Sequence, residues 1–141
     1  MHETARRCPA WMPNVLRAAA IYNAGWGVFM MAFPHAWWDW IGQPRSSPEF
    51  LWPGMGLLIL LFGVGYWIAS HDPAEHWGLV AIGLASKVLA FLGTAAGCFV
   101  QKNVPIAFFW SGIINDFIWW IPFGLILAFA LSRPHPNKQP N

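Results

Sequence analysis

The chain has 141 residues, of which 57% are hydrophobic and only 10% charged, with eleven Trp and a formal net charge of +2. Soluble domains hold about 25% charged residues, a soluble globule of this length cannot hide so much apolar surface, and disorder needs the opposite composition. What remains is one all-α domain in a membrane, an antiparallel four-helix bundle with short loops and an interfacial Trp-rich segment; the small charge, with no basic stripe, excludes nucleic acid as a partner.

Residues 1–15 read as a cytoplasmic N-terminal segment. The first span is expected over about 16–33, with Asn14 as a cap of suitable type and Pro34 as its end. Arg17 lies near its start, where a long cation can reach the headgroups. No A-x-A site follows the apolar stretch, so it reads as a retained helix rather than a cleaved leader. Next comes His35-Ala-Trp-Trp-Asp-Trp40. Trp37, Trp38 and Trp40 sit just past a span, and Trp prefers the membrane–water interface, so this is an interfacial turn or short helix.

The second span is expected over about 48–70. Ser47 is its N-cap candidate and Pro48 suits the first helical position. Asp72-Pro73-Ala74-Glu75 follows at once and has the spacing of a capping box with Asp in the Ser/Thr role. Spans two and three therefore form a tight hairpin, the third covering about 73–100. The fourth covers about 105–131, with Pro122 inside it as a predicted kink. Residues 132–141, with Pro134, Pro136 and Pro140, read as a disordered cytoplasmic tail.

Four spans put both termini on one side. Arg6, Arg7, Arg17, Arg133 and Lys138 fall there, against Arg45 and Lys102 on the other, which by the positive-inside rule places both termini in the cytoplasm of a bacterial inner membrane. Cys8 and Cys98 then lie on opposite sides, without a CxxC, so a paired-thiol relay is excluded. No His sits in the middle of an apolar segment, so paired haem ligands are absent and no haem is expected. No HExxH, GxSxG, Walker A or GxGxxG motif is present. Catalytic residues and a bound metal are accordingly not assigned.

Lys87 and Asp116 stand out. Lys87 lies about 15 Å past the interfacial Trp77, and Asp116 lies within about 3 Å of the middle of span four, at 1.5 Å per residue. A charge at the centre of a bilayer costs at least about 2.5–3.5 kcal/mol alone, so such residues turn inward and find partners. Lys87 and Asp116, on antiparallel neighbours at nearly equal depth, are each other's partner. Gly83, Lys87, Ala90, Thr94 and Gly97 fall on one stripe of small residues, a surface suited to close packing. Asn115 accompanies Asp116, Asn23 lies at mid-depth in span one, and Tyr66 projects inward from span two. One buried polar cluster of Asn23, Tyr66, Lys87, Asn115 and Asp116 is expected. It can simply fix helix register, or it can hold a proton, a polar headgroup or a quinone carbonyl.

Tyr22, His71, His76, Glu49 and Asp39 fall near interfaces, in solvated or capping roles. His71 and His76 with Asp72 and Glu75 form a weak cytoplasmic metal candidate, because both acids already have capping work.

Arg17 to Asn23, Gly63-Val-Gly-Tyr-Trp67, His71-Asp-Pro-Ala-Glu-His-Trp77, Gly83 to Lys87 and Asn115 to Phe123 together resemble stretches of small bacterial four-helix membrane proteins. These are similar in layout to the DoxX-like family, named for a subunit of a quinol oxidase. The resemblance touches all four spans and implies the four-helix layout, without a catalytic residue. Some such sequences are labelled alkyl hydroperoxide reductase. That chemistry needs an activated cysteine with a resolving partner, a setting that neither Cys8 nor Cys98 has. Asn115, Asp116, Trp119 and Pro122 are also similar to the last helix of emopamil-binding proteins, whose partner carboxylates are missing here.

The expected function is a non-enzymatic accessory subunit or scaffold, associated with the lipid bilayer and with a membrane protein complex or a second copy. A redox-linked subunit with quinone as cofactor is the alternative. A proton-coupled transporter, which with four spans would act as a homodimer, is the third.

Overall fold

The computed structural model describes residues 8–45 and 47–132. Arg6, Arg7, Arg133, Lys138 and the expected disordered tail lie outside them, apart from Ser132. Among the described residues every regular element is helical. In chain order these are α1 (Trp11–Ala32), α2 (Ala36–Trp40), α3 (Leu51–Ala69), α4 (Trp77–Ala96), α5 (Ile106–Asn115) and α6 (Trp120–Leu131). A π-helical turn, Gly97–Gln101, extends α4, and a 3-10 turn, Phe117–Trp119, joins α5 to α6.

Among the described residues three helical stretches are long and apolar enough to cross a membrane: Leu51–Ala69, Trp77–Gln101 and Ile106–Leu131. The 22-residue α1 is as long as these but is not among them. Asn14, Arg17 and Asn23 lower its hydropathy, so four equally apolar spans are not found.

Helix starts differ from expectation for local reasons. The first begins at Trp11, five residues before Leu16. Pro13 is then its third residue, where a missing N–H leaves no helical bond unmade. Asn14 is exposed within the helix instead of capping it. Ser47 does not cap α3, which begins at Leu51 after a turn in which the Leu51 amide donates to the Pro48 carbonyl at 3.1 Å. The third span begins at Trp77 rather than Pro73. The Asp72 carboxylate still accepts the amides of Ala74 and Glu75, each at 3.0 Å, but it closes the turn that leads into α4. Asp72→Ala is expected to cost about 1 kcal/mol, the usual worth of such a cap. A thermal melt followed by Trp fluorescence checks this, and an unchanged midpoint would contradict it.

Pro122 breaks its helix, though not at the proline itself. Its ring opposes the carbonyl four residues earlier, and it has no N–H to donate there. The break accordingly falls N-terminal to it, at Asp116, whose φ is −122° and ψ −54°. The Trp119 amide turns to the Asp116 carbonyl at 3.2 Å, so the Asn115 carbonyl is released from the helix ladder.

Two antiparallel pairs make up the molecule. In the first, Gly27 of α1 faces Gly56 of α3, while Ala20 and Ala24 face Gly63. In the second, Phe91 of α4 packs on Gly112 and Phe109 of α5, and Phe99 on Phe109. The pairs close on each other at one end. Met12, Leu16, Tyr66, Ala69, Val80, Phe123 and Ile126 form a single buried cluster there. The start of α1 and the end of α6 therefore share that end. Away from it the pairs separate and leave a cavity.

Candidate ligand-binding pocket

The cavity has a volume of about 350 Å³, within the lower part of the usual range for small-molecule sites. Asn23, Tyr66, Lys87, Asn115 and Asp116 all line it. Five residues chosen for depth and helix face thus reach one space, from four different helical segments.

Lys87 and Asp116 form an ion pair with 3.5 Å between Nζ and Oδ1, their side chains 7% and 20% exposed. Lys87 Nζ also donates to the backbone carbonyl of Asn115 at 2.8 Å. That carbonyl is the one released where α5 stops, so the cation fills the acceptor that the helix break creates. On the other side, the Tyr22 hydroxyl donates to Asn115 Oδ1 at 2.5 Å. Asn115 is held between α1 and α4 through two different oxygens.

Tyr22 is therefore not a solvated interfacial residue. Because α1 begins at Trp11 and ends at Ala32, residue 22 falls at its middle. Its neighbour Asn23, already placed at mid-depth, was the signal that would have found it. Ser86, Thr94 and Ser111 also line the cavity. Ser86 and Ser111 donate to the carbonyls of Gly83 and Phe108 at 2.8 and 2.9 Å, so their hydroxyl oxygens remain acceptors.

Asn23 is the least satisfied polar side chain of the set. It is only 4% exposed and lines the cavity. Among the described residues its amide makes no hydrogen bond, and it is not shut away from the cavity by packing. A buried amide normally has partners. The Tyr66 hydroxyl differs: it is fully enclosed and lies beside Ser86, away from the open part of the cavity. The Tyr66 ring packs edge-on to Phe123 at 5.0 Å and lies hard against Gly83. It closes the cavity toward the core.

The opposite end is aromatic. Trp52 of α3, Trp37 of α2 and Phe108 of α5 line it, each ring 6.1 Å from Phe108 in an edge contact. Trp38 lies behind, 5.1 Å from Trp52. The short α2 thus turns Trp37 inward, which an interfacial belt alone does not require. Nothing in the local sequence separates Trp37 from its neighbours.

The small-residue stripe of α4 divides into two uses. Gly83 packs against Tyr66, while Ala90 and Thr94 line the cavity. Close packing was expected along the whole stripe; it is found at Gly83 and at Gly97, which lies against Val104, while Ala90 and Thr94 between them form a wall of the cavity.

The lesser candidates stay apart from the pocket. Asp39 pairs with Arg45 at 3.7 Å, both well exposed, and Glu49 is exposed. The Nδ1 atoms of His71 and His76 bond to the carbonyls of Trp67 and Asp72 at 3.0 and 3.1 Å. Among the described residues no three His, Cys, Asp or Glu side chains are grouped to hold a metal ion. Cys8 packs against the core at the closed end, and Cys98 contacts the Pro105 carbonyl at 3.6 Å at the other.

No family model, no curated protein and no solved structure matches the chain. The likeness to DoxX-like proteins rests on the quoted stretches alone.

Proposed function

We propose that the chain is an integral membrane bundle of four spans that holds a small amphipathic molecule beside Lys87 and Asp116. Three apolar helices support the membrane location. The 22 residues of α1 supply a fourth rod of about 33 Å, matching a hydrocarbon core of about 30 Å. Its polar residues turn to the interior or to the end near Arg17. The excess of Lys and Arg near the chain ends favours both termini in the cytoplasm of a bacterial inner membrane.

One observation supports ligand holding over a purely structural pair: the amide of Asn23, nine-tenths buried and without a partner among the described residues, lines the same open space as Lys87. A pair that only fixes register has no need of that space. A quinone is one candidate occupant, since its carbonyls would accept from Lys87 and Asn23. A non-enzymatic subunit or scaffold is the second reading. It is favoured by the Lys87 bond to the Asn115 carbonyl, which ties α4 to a broken helix whatever the cavity holds.

Anything bound only to the folded state raises its stability by mass action. Protein extracted gently is therefore expected to melt several degrees above the same protein after exhaustive detergent washing. Asn23→Leu is expected to remove most of that difference. An equal loss on washing in both proteins would assign the effect to bulk lipid and leave the scaffold reading.

A further inference from the structure

The head chemistry and the route into the pocket follow from its walls, given that the pocket holds a ligand as proposed above. We propose that the pocket takes an uncharged amphiphile with one chain or ring, whose carbonyl or hydroxyl meets Lys87 and Asn23, and that this molecule enters sideways from the bilayer between α3 and α4.

Charge comes first. Among the described residues, Lys87, Asp116 and the enclosed Tyr66 are the titratable side chains that line the cavity. Lys87 and Asp116 sum to zero, whether they stand as an ion pair or the proton has passed from one to the other. A charged head would therefore bring an uncompensated charge into a site with few polar groups, the costly case inside a membrane.

Hydrogen bonding comes next. An ammonium has three donors. Lys87 uses one on the Asn115 carbonyl and points another at Asp116, which leaves one. Asn23 offers two donors and an acceptor, none of them used among the described residues. A carbonyl meets the donors, and a hydroxyl or primary amide also meets the acceptor. A head with neither function leaves the Asn23 amide unsatisfied.

Shape sets the rest. A volume of about 350 Å³ suits a head and one ring or short stem, not two acyl chains. Tyr66 closes one end, and Trp37, Trp52 and Phe108 close the other. The remaining side lies between α3 and α4. Its two lips are Leu58, 59% exposed, and the exposed Ala90, both of which also line the cavity. Apolar residues at once outside and inside make a doorway that a lipid tail can occupy without meeting water.

The test uses the full chain in lipid nanodiscs and three probes with the same chain: hexadecanamide (uncharged), hexadecanesulfonate (fixed anion) and hexadecylguanidinium (fixed cation). Binding is read by native mass spectrometry. Hexadecanamide is expected to bind about a hundredfold more tightly than either charged probe. Asn23→Leu is expected to weaken it about tenfold, the worth of one hydrogen bond. Ala90→Phe and, independently, Leu58→Trp are expected to abolish or slow its uptake with the melting midpoint kept, while Leu61→Phe, exposed on α3 outside the cavity, leaves uptake unchanged. A charged probe that binds as well as the amide overturns the head assignment. Unchanged uptake in a folded lip variant overturns the sideways route. No retention of any probe, in protein that also lacks a bound molecule of its own, overturns the ligand-holding function itself.

Discussion

Lys87→Met is expected to lower the unfolding free energy by about 3–5 kcal/mol, the cost of removing one member of a buried charge pair. The substitution shortens the side chain by only one atom, so little packing is lost. What it leaves behind is a carboxylate at Asp116 only 20% exposed, and an Asn115 carbonyl without the donor that replaced its helical partner. Each such orphan costs free energy on its own. Lys87→Met with Asp116→Leu is expected to recover most of the loss, because the double variant buries no charge at all. Unfolding followed by Trp fluorescence in detergent reads both. A single variant within about 1 kcal/mol of the wild type would mean that the pair is hydrated, and would contradict its burial.

Gly27→Val is expected to separate α1 from α3. Even the first atom of a side chain at residue 27 would meet the Gly56 carbonyl oxygen at 2.5 Å and the Leu60 amide at 2.8 Å. Both obstacles are backbone, so neither can swing aside, and the helices must move apart along the most extensive interface of the molecule. Overpacking costs about 1–3 kcal/mol where neighbours can adjust, so a loss at or above the top of that range is expected here. Gly56→Ala is expected to behave alike, since its Cβ would meet the Gly27 carbonyl at 2.8 Å. Gly25 is the internal control: nothing lies within 4 Å of a Cβ placed there. Gly25→Ala is expected to be neutral or to stabilise α1 by about 0.5–1 kcal/mol through its better helix propensity. Equal effects at 25 and 27 would contradict the register of α1 on α3.

The polar cluster was legible in the sequence because only two quantities were needed, depth and helix face. A lysine and an aspartate deep in apolar stretches have few tolerable places, and counting residues from the interface puts them level. The rest of the pocket depended on features that local sequence does not state. Tyr22 precedes Asn23 by one residue at the middle of α1, so depth alone placed it level with the cluster; its bond to Asn115 across the bundle is a tertiary contact. The Asn115 carbonyl became available because the helix breaks at Asp116, six residues before Pro122, where the Trp119 amide turns to the Asp116 carbonyl. Ala90 and Thr94 look the same in sequence whether a stripe of small residues packs closely or lines a space; the tertiary arrangement, which places them on the cavity, decided it. Trp37 and Trp52 are separated by a loop and meet through Phe108, a tertiary contact with no sequence signature. The three apolar stretches read correctly as long helices, since an unbroken apolar run has no other folded use of that length. The first stretch was overrated, because its inward polar residues count against hydropathy in the same way as exposed ones.

Native mass spectrometry of the full chain, released from its own membrane in mild detergent, tests most directly whether the space beside Lys87 and Asp116 holds a molecule. The expected spectrum shows a single small-molecule adduct near one per chain, which is lost in Asn23→Leu while the fold is kept. A bare chain under several mild conditions, or an adduct equally abundant in Asn23→Leu, would contradict it and leave Lys87 and Asp116 as a pair that only joins helices.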